Sequence, residues 1–358
     1  MRIGVDAREL CGAVTGVGRY LGGLLHHWAA DGRTRGHEFI LYAPEPLGIA
    51  LDARRFPTRL VPGSPGTWWE QVRLPRTAAG DHLDVFFAPA YTAPRALRVP
   101  TIVAMHDLSF VAHPEWFRVR EGIRRRTLAR QTAARARAVV TISEFSRREL
   151  VDRLGVREPL IHVIPPGITR PIEAHSAARG DSRVLFVGSI LNRRHVTDLI
   201  RAFAPLARAN TLVSLDIVGD NRSYPHEDLQ HTIATEQLGG RVRWHRYVSD
   251  ARLRELYAGA RAFAFLSEYE GLGLTPLEAL AAGVPPVLLD TPVARESCGE
   301  AAVYVSLDRL AATTHALEQL LFDEPTRVRV LAAAPAALAK YSWPRAAART
   351  LDVLEGCA

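Results

Sequence analysis

Short runs of consecutive apolar, β-branched and aromatic residues alternate with longer helical stretches along all 358 residues of the chain. The runs predict strands at Arg2–Asp6, Glu38–Tyr42, Val85–Ala88, Thr101–Met105 and Ala138–Ile142. A second series is expected at Arg183–Val187, Val213–Val218, Val242–Trp244, Ala262–Leu266 and Pro286–Leu289. These runs are unbroken rather than alternating in polarity, the pattern of parallel strands covered on both faces. Strand and helix alternating over this length predict an α/β fold of doubly wound sheets. Near the midpoint, Ile164-Pro165-Pro166-Gly167 and then Thr169 to Asp181 carry Pro, Gly and polar residues with no strand pattern, which reads as a linker. The chain is longer than one core usually supports. Two Rossmann-like domains of similar size are therefore expected, facing across a cleft at the carboxyl ends of both sheets.

Composition narrows the class. Apolar residues make up 47 % and charged residues 23 %, which excludes a disordered or collagen-like chain. The three cysteines, Cys11, Cys298 and Cys357, are far apart and show no metal-ligand spacing, against a disulfide framework or a structural zinc. No apolar run reaches the roughly 18 residues of a membrane span. The opening Met1-Arg2-Ile3-Gly4-Val5-Asp6 lacks a signal-type apolar region, so the expectation is a cytoplasmic globular protein. The net charge is +7, and all of the excess lies between Arg118 and Arg137, where eight arginines meet one acid, Glu121. Lys340 is the only lysine, so the abundance of arginine is compositional and by itself does not point to nucleic acid.

Three constellations carry chemistry. Thr15-Gly16-Val17-Gly18-Arg19-Tyr20 follows the first strand and opens a helical pattern. Its glycines permit a sharp turn and close approach to an anion, but Leu21 stands where a dinucleotide fingerprint needs a third glycine. Val187-Gly188-Ser189 leads to Asn192-Arg193-Arg194-His195 before another helix, a strand–glycine–arginine arrangement suited to clamping a diphosphate. Positive charge is unfavourable at a helix start, which favours function over a solvated pair. Finally, Glu270-Gly271-Leu272-Gly273-Leu274-Thr275-Pro276-Leu277-Glu278 follows an apolar strand, with Pro276 in a first helical turn. Glu278 sits among apolar neighbours and needs a partner.

On these residues the chain resembles the retaining glycosyltransferases of family 4, the group 1 glycosyltransferases, of GT-B fold. The Glu-x7-Glu element from Glu270 to Glu278 is the most specific match, and TGVGRY, MHDLSF (105–110), TISEFSRREL (141–150), VIPPGI (163–168) and YSWPRAA (341–347) follow in the expected order. The resemblance implies an acceptor-side domain over 1–170 and a donor-side domain over 171–340, with a terminal helix over 341–358 packing back on the first. It implies that Glu278 holds the nucleotide's ribose, and that Glu270 with the amides of Gly271, Leu272, Gly273 and Leu274 holds hydroxyls of the transferred sugar. Arg193 and Arg194 would bind the diphosphate with the turn at Gly188, aided by the Gly16 and Gly18 loop. His106 would lie against the donor sugar, and Tyr247 and Val248 would cover the base. Arg194 and His195 depart from the family's usual lysine and asparagine.

The implied reaction is transfer of a hexosyl group with retention, from a nucleotide-diphosphate sugar to a hydroxyl of a saccharide or lipid-linked acceptor, with no obligatory metal and no further cofactor. The GVGRY loop and the HDL strand end resemble mannosyl- and rhamnosyl-transferring members, which puts GDP-mannose first and UDP- or dTDP-sugars next. A nucleotide-sugar epimerase of the same fold and a basic nucleic-acid-binding protein are the rival readings. The second lacks aromatics interleaved among the arginines. Ser143 reads as a helix cap, since no nucleophile elbow accompanies it. Trp68-Trp69 reads as core anchoring or as an aromatic platform. The basic segment 117–138 reads as a solvated helix, with peripheral contact to an anionic membrane as the functional alternative.

Overall fold

The computed structural model describes residues 1–12, 16–168, 182–307 and 309–358. Thr15 of the first constellation and the linker segment 169–181 lie outside the described residues. The chain divides into two compact units, Met1–Gly167 with Tyr341–Ala358, and Ile168–Lys340.

The first unit is built on strands β1 (Arg2–Asp6), β2 (Glu38–Ala43), β3 (Thr58–Leu60), β4 (Val85–Ala88), β5 (Thr101–Ala104), β6 (Ala138–Thr141) and β7 (Ile161–Val163). They pair in parallel in the order β3-β2-β1-β4-β5-β6-β7. Ile3, Val5, Phe39 and Phe87 point to one face, under the helices Gly16–Ala30 and Trp343–Cys357. Ile40, Phe86 and Val103 point to the other, with Trp69, Ala129 and Leu150. Burial on both faces explains why these strands are unbroken apolar runs.

The second unit holds β8 (Ser182–Val187), β9 (Val213–Val218), β10 (Val242–His245), β11 (Ala262–Phe265), β12 (Pro286–Leu289) and β13 (Val303–Val305). Their order is β10-β9-β8-β11-β12-β13, again with parallel pairing. In each sheet the order reverses beside the first strand, between β1 and β4 and between β8 and β11. Loops leaving the carboxyl ends at such a reversal diverge and leave room for a ligand.

The three strands that the pattern does not reveal, β3, β7 and β13, are sheet ends of three residues each. β3 is exposed throughout, so it has no apolar run to read. Met105 falls just beyond β5, although its amide still donates to the Val140 carbonyl at 2.8 Å.

The terminal helix is fastened to the first unit by two tryptophans. Trp28 Nε1 donates to the Ala347 carbonyl at 2.9 Å. The ring of Trp343 lies flat on Gly23, where a Cβ would come within 2.5 Å of ring carbons, and on Gly167, where it would come within 2.2 Å. At an ordinary helical position Gly→Ala stabilises by about 1 kcal/mol. At Gly23 the overpacking cost of about 1–3 kcal/mol opposes it and wins. Gly23→Ala is therefore expected to lower unfolding stability, while in a Trp343→Ala background the same change should raise it. Denaturant titration followed by tryptophan fluorescence reports this unit, which holds five of the six tryptophans. Stabilisation in the wild-type background would remove the clash as an explanation.

Candidate active site

At the carboxyl end of β8, Gly188 adopts φ +148°, and its amide donates to the Val218 carbonyl at 2.9 Å. The end of β9 approaches so closely that a Cβ on Gly219 would stand 1.9 Å from the Gly188 carbonyl oxygen. A Cβ on Gly188 would stand 2.8 Å from Nη1 of Arg194. Gly219 is thus required by space as well as by backbone conformation, and Gly188 by its backbone conformation. Asn192–Arg194 forms a single 3₁₀ turn, His195 takes a left-handed conformation at φ +47°, and the helix Val196–Ala209 follows.

This geometry lays the Arg194 guanidinium across the loop that leaves β11. Nε and Nη2 lie 2.8 and 2.7 Å from Oε1 of Glu270, Nη1 donates to the Ser189 carbonyl at 2.9 Å, and the guanidinium carbon sits 4.9 Å from the Phe265 ring centre. Ser267 Oγ donates to the same Glu270 oxygen at 2.9 Å. The two loops are latched a second time: the Glu268 amide donates to the Arg193 carbonyl at 2.9 Å, and the His195 ring bridges the carboxylates of Glu268 and Asp198. His195 stands where the family pattern has asparagine.

Glu270 and Ser267 line a small cavity with Leu272, Gly273 and Pro276. Gly273, at φ +83°, precedes the helix Leu274–Ala281, and Glu278 lies half-buried within that helix. The partner that its apolar neighbours demand includes Tyr257, whose hydroxyl lies 3.4 Å from Oε2. Tyr247 and Val248 stand between β10 and the helix Asp250–Ala258, Tyr247 being 84 % exposed. Within the second unit, Gly188, Arg194 and Glu270 are therefore brought into one contact network, joined by Ser267.

In the first unit, Gly16 and Gly18 form the first turn of the helix Gly16–Ala30 rather than a loop before it. Two residues on, Tyr20 meets the ring of His106 edge-on at 4.7 Å, and Tyr91 meets it at 5.7 Å. His106 Nε2 faces the Pro89 carbonyl at 2.8 Å; a carbonyl only accepts, so Nε2 carries the proton. Burial pushes its pKa below the usual histidine value, and the ring is neutral at physiological pH.

A charged cluster at the end of β1 escaped the sequence reading. Arg8 Nη2 lies 2.6 Å from Glu70 and 3.2 Å from Asp6, and Glu70 also accepts from Thr92 Oγ1 at 2.8 Å and from Gln71 Nε2 at 2.7 Å. Burial pushes the Asp6 carboxyl up to about 6, with Arg8 opposing the shift. Asp6-Ala7-Arg8 directly after an apolar strand was a readable signal; Glu70, beside the tryptophan pair, was not. That pair divides: Trp69 is buried and donates from Nε1 to the Val61 carbonyl at 2.6 Å, while Trp68 is exposed. Ser143 caps the helix Glu144–Leu154, accepting from the Ser146 amide at 3.0 Å. Among the described residues no group of three or more His, Cys, Asp or Glu side chains is placed to hold a metal ion.

Two family descriptions match the chain in tandem, "Glycosyltransferase Family 4" over residues 14–170 and "Glycosyl transferases group 1" over residues 169–336. The O-antigen chain mannosyltransferase B of Escherichia coli is 25 % identical over 288 residues, covering 77 % of this chain and 75 % of that one. Sucrose-phosphate synthase from Thermosynechococcus elongatus superposes with a TM-score of 0.80 at 16 % identity, covering 99 % of this chain and 98 % of that one. HepE of Anabaena, solved in complex with UDP and glucose, superposes with a TM-score of 0.75 at 18 % identity, covering 99 % of each chain. The chain belongs to the group 1 glycosyltransferases, has the GT-B fold and is a glycosyltransferase.

The Asp6 carboxyl gives a pH signature. The folded chain holds its proton up to about pH 6, whereas the unfolded chain releases it near the ordinary 3.8. Between these values the folded form binds more protons, so this group's contribution to stability falls as pH rises. The stability difference between wild type and Asp6→Asn is expected to decline from about pH 4 to 6 and to level off above, followed by tryptophan fluorescence at fixed ionic strength. A difference that is constant across this window would mean that Asp6 ionises normally.

Proposed function

We propose that this glycosyltransferase moves a hexosyl group, mannose in the first place, from a nucleotide-diphosphate sugar to a hydroxyl of a saccharide or lipid-linked acceptor, with retention of configuration. The observation that carries the reading is the Arg194–Glu270 contact where the second sheet's strand order reverses. It sets a cation suited to a diphosphate within one hydrogen bond of a carboxylate suited to sugar hydroxyls. The name of the Escherichia coli relative supports a mannosyl donor, with GDP-mannose first. The UDP bound in the Anabaena structure keeps a UDP-sugar as the next choice.

In this mechanism the bond from the anomeric carbon to the diphosphate oxygen breaks as the acceptor oxygen bonds to the same face. The acceptor's proton passes to the departing phosphate oxygen. The sugar gains positive character and the leaving group gains negative charge, which Arg193 and Arg194 stabilise, worth about 3 kcal/mol for each well-placed donor. The contacts to Ser189 and Phe265 keep the Arg194 guanidinium in place. Glu270, with the amides of Gly271, Leu272, Gly273 and Leu274, orients the sugar hydroxyls. Glu278 holds the ribose, and Tyr247 and Val248 cover the base. His106, neutral and fixed by Pro89, packs against the transferred sugar. The second unit binds the donor and the first binds the acceptor.

The two glutamates separate in kinetics. Glu270→Ala should lower transfer by about 100-fold or more while nucleoside diphosphate binding is kept or tightened, because Arg194 loses its competing carboxylate. Glu278→Ala should weaken nucleoside diphosphate binding directly. Isothermal titration beside a radiolabelled transfer assay reads both, and wild-type transfer by Glu270→Ala would sink the assignment.

Arg193 and Arg194 changed together to Ala should lower kcat/KM by about 100-fold. A loss under about threefold would show that they are merely solvated. Because these arginines meet the diphosphate charge, turnover is expected to persist in EDTA; its abolition and rescue by a divalent cation would overturn the metal-independent reading.

A further inference from the structure

The turn that carries Arg193 and Arg194 is gripped from two sides. On one side it is latched to the loop after β11, through Glu268 and Glu270. On the other, Asn192 ties it to the loop 219–228 after β9. The Asn192 amide is used at both ends: Oδ1 accepts from the Tyr224 amide at 2.6 Å, while Nδ2 donates to the Pro225 carbonyl at 3.0 Å and to Oε1 of Glu227 at 2.9 Å. The other oxygen of Glu227, Oε2, accepts from Thr197 Oγ1 at 3.3 Å, in the first turn of the helix Val196–Ala209. One carboxylate therefore holds a residue before the arginine pair and a residue after it, so that positions 193–196 are bracketed. Asn192, Thr197 and Glu227 are all half-buried, where water competes less for such bonds. Glu227 is itself fixed, its amide donating to Ser223 Oγ at 2.8 Å and its carbonyl accepting from Asn221 Nδ2 at 2.8 Å. The loop in turn is pinned to the exit of β8, where the Ile190 amide donates to the Asp220 carbonyl at 2.9 Å and the Arg222 amide to the Ile190 carbonyl at 2.8 Å.

We propose that Asn192 and Glu227 are positioning residues, a brace that keeps Arg193 and Arg194 aimed at a diphosphate once Glu270 turns to a sugar. The inference rests on the reading that these arginines meet the diphosphate. Its physical reason is competition for the Arg194–Glu270 ion pair. A bound donor draws on that pair from both ends, the diphosphate taking the cation and the sugar hydroxyls taking the carboxylate. The latch toward β11 therefore weakens at the moment when the arginines must stay in place. The bonds of the brace run through the Asn192 amide, Thr197 and the loop backbone. None of them uses Arg194 or Glu270, so they persist through the exchange. The arginines then meet the developing charge already oriented, with no reorganisation to complete during the reaction.

The test is titration calorimetry of the full chain with GDP, UDP and the matching monophosphates. Wild type is expected to prefer diphosphate to monophosphate. Asn192→Asp is isosteric, keeps the acceptor for the Tyr224 amide and sets a carboxylate against that of Glu227. It should reduce the diphosphate preference by about tenfold, the effect of losing one hydrogen bond to a charged group. Adding Glu227→Gln supplies the missing donor from the other side and leaves the net charge of the pair as in wild type. In that double variant the preference should return to within about threefold of wild type. Rescue separates aim from charge, because the carboxylate introduced at position 192 is still present. Loosened folding, followed in parallel by thermal unfolding, would weaken both nucleotides alike and leave their ratio unmoved. A wild type without diphosphate preference would overturn the donor reading and the brace together. A wild-type preference that Asn192→Asp retains, or a double variant no better than the single one, would overturn the brace and leave the donor reading standing.

Discussion

The candidate site of the second unit depends on one planar cation held on three sides. Arg194 reaches the Ser189 carbonyl just after β8, and the Glu270 carboxylate and the Phe265 ring at the end of β11, all at once. Each contact requires the guanidinium to lie against the backbone at Gly188, and a single methyl group there would collide with it. The Gly219 approach sets the depth of this bed by pressing the end of β9 onto the Gly188 carbonyl. The contacts to Ser189 and Phe265 hold the positive charge in place, and that charge in turn meets Glu270. In a half-buried setting such an ion pair is stronger than on the open surface, and its geometry more than its energy is what the site uses.

The first unit solves the opposite problem, since its polar groups at the corresponding strand ends are mostly enclosed. Asp6, Arg8 and Glu70 satisfy one another with Thr92 and Gln71. Burial raises the Asp6 pKa, Arg8 opposes the shift, and the second carboxylate, Glu70, adds to it. His106 is enclosed as well, but uncharged, with its proton committed to Pro89. The two units thus present different electrostatics at equivalent places in equivalent sheets: a fixed cation in one, and a neutral ring beside a proton-holding cluster in the other.

Much of this was legible in the residues because parallel strands buried on both faces are largely apolar, as β4, β11 and β12 are throughout. The strands that were not legible, β3, β7 and β13, are short sheet ends, where only part of the surface is covered and polar residues such as Thr58, Arg59 and His162 are admitted. In the site, glycines before charged residues marked the right loops, since close backbone approach leaves a local trace in sequence. The pairing of Arg194 with Glu270, 76 positions apart, left none. Nor did the bond between Arg8 and Glu70, separated by 62. Trp68 and Trp69 show the same limit from the other side. Adjacent identical residues received opposite environments because successive positions of a helical stretch point in different directions, and only Trp69 faces Val61.

The two departures from the family pattern, Arg194 and His195, make sense together. A lysine ammonium is a point charge on a flexible stem; it would reach one acceptor well but would not stack on Phe265 while holding both Glu270 and Ser189. The planar guanidinium does all three, which draws the loop after β8 tightly onto the loop after β11. Tight apposition brings the His195 ring between Glu268 and Asp198, a position that its left-handed backbone allows. An asparagine amide is shorter and would span only one of those carboxylates. The second departure is thus fitted to the first: the longer, flatter cation pulls the loops together, and the imidazole joins them at the next residue. A chain reverting at one position alone would keep half of the latch, with a cation or a ring aimed at partners that the other side chain no longer positions.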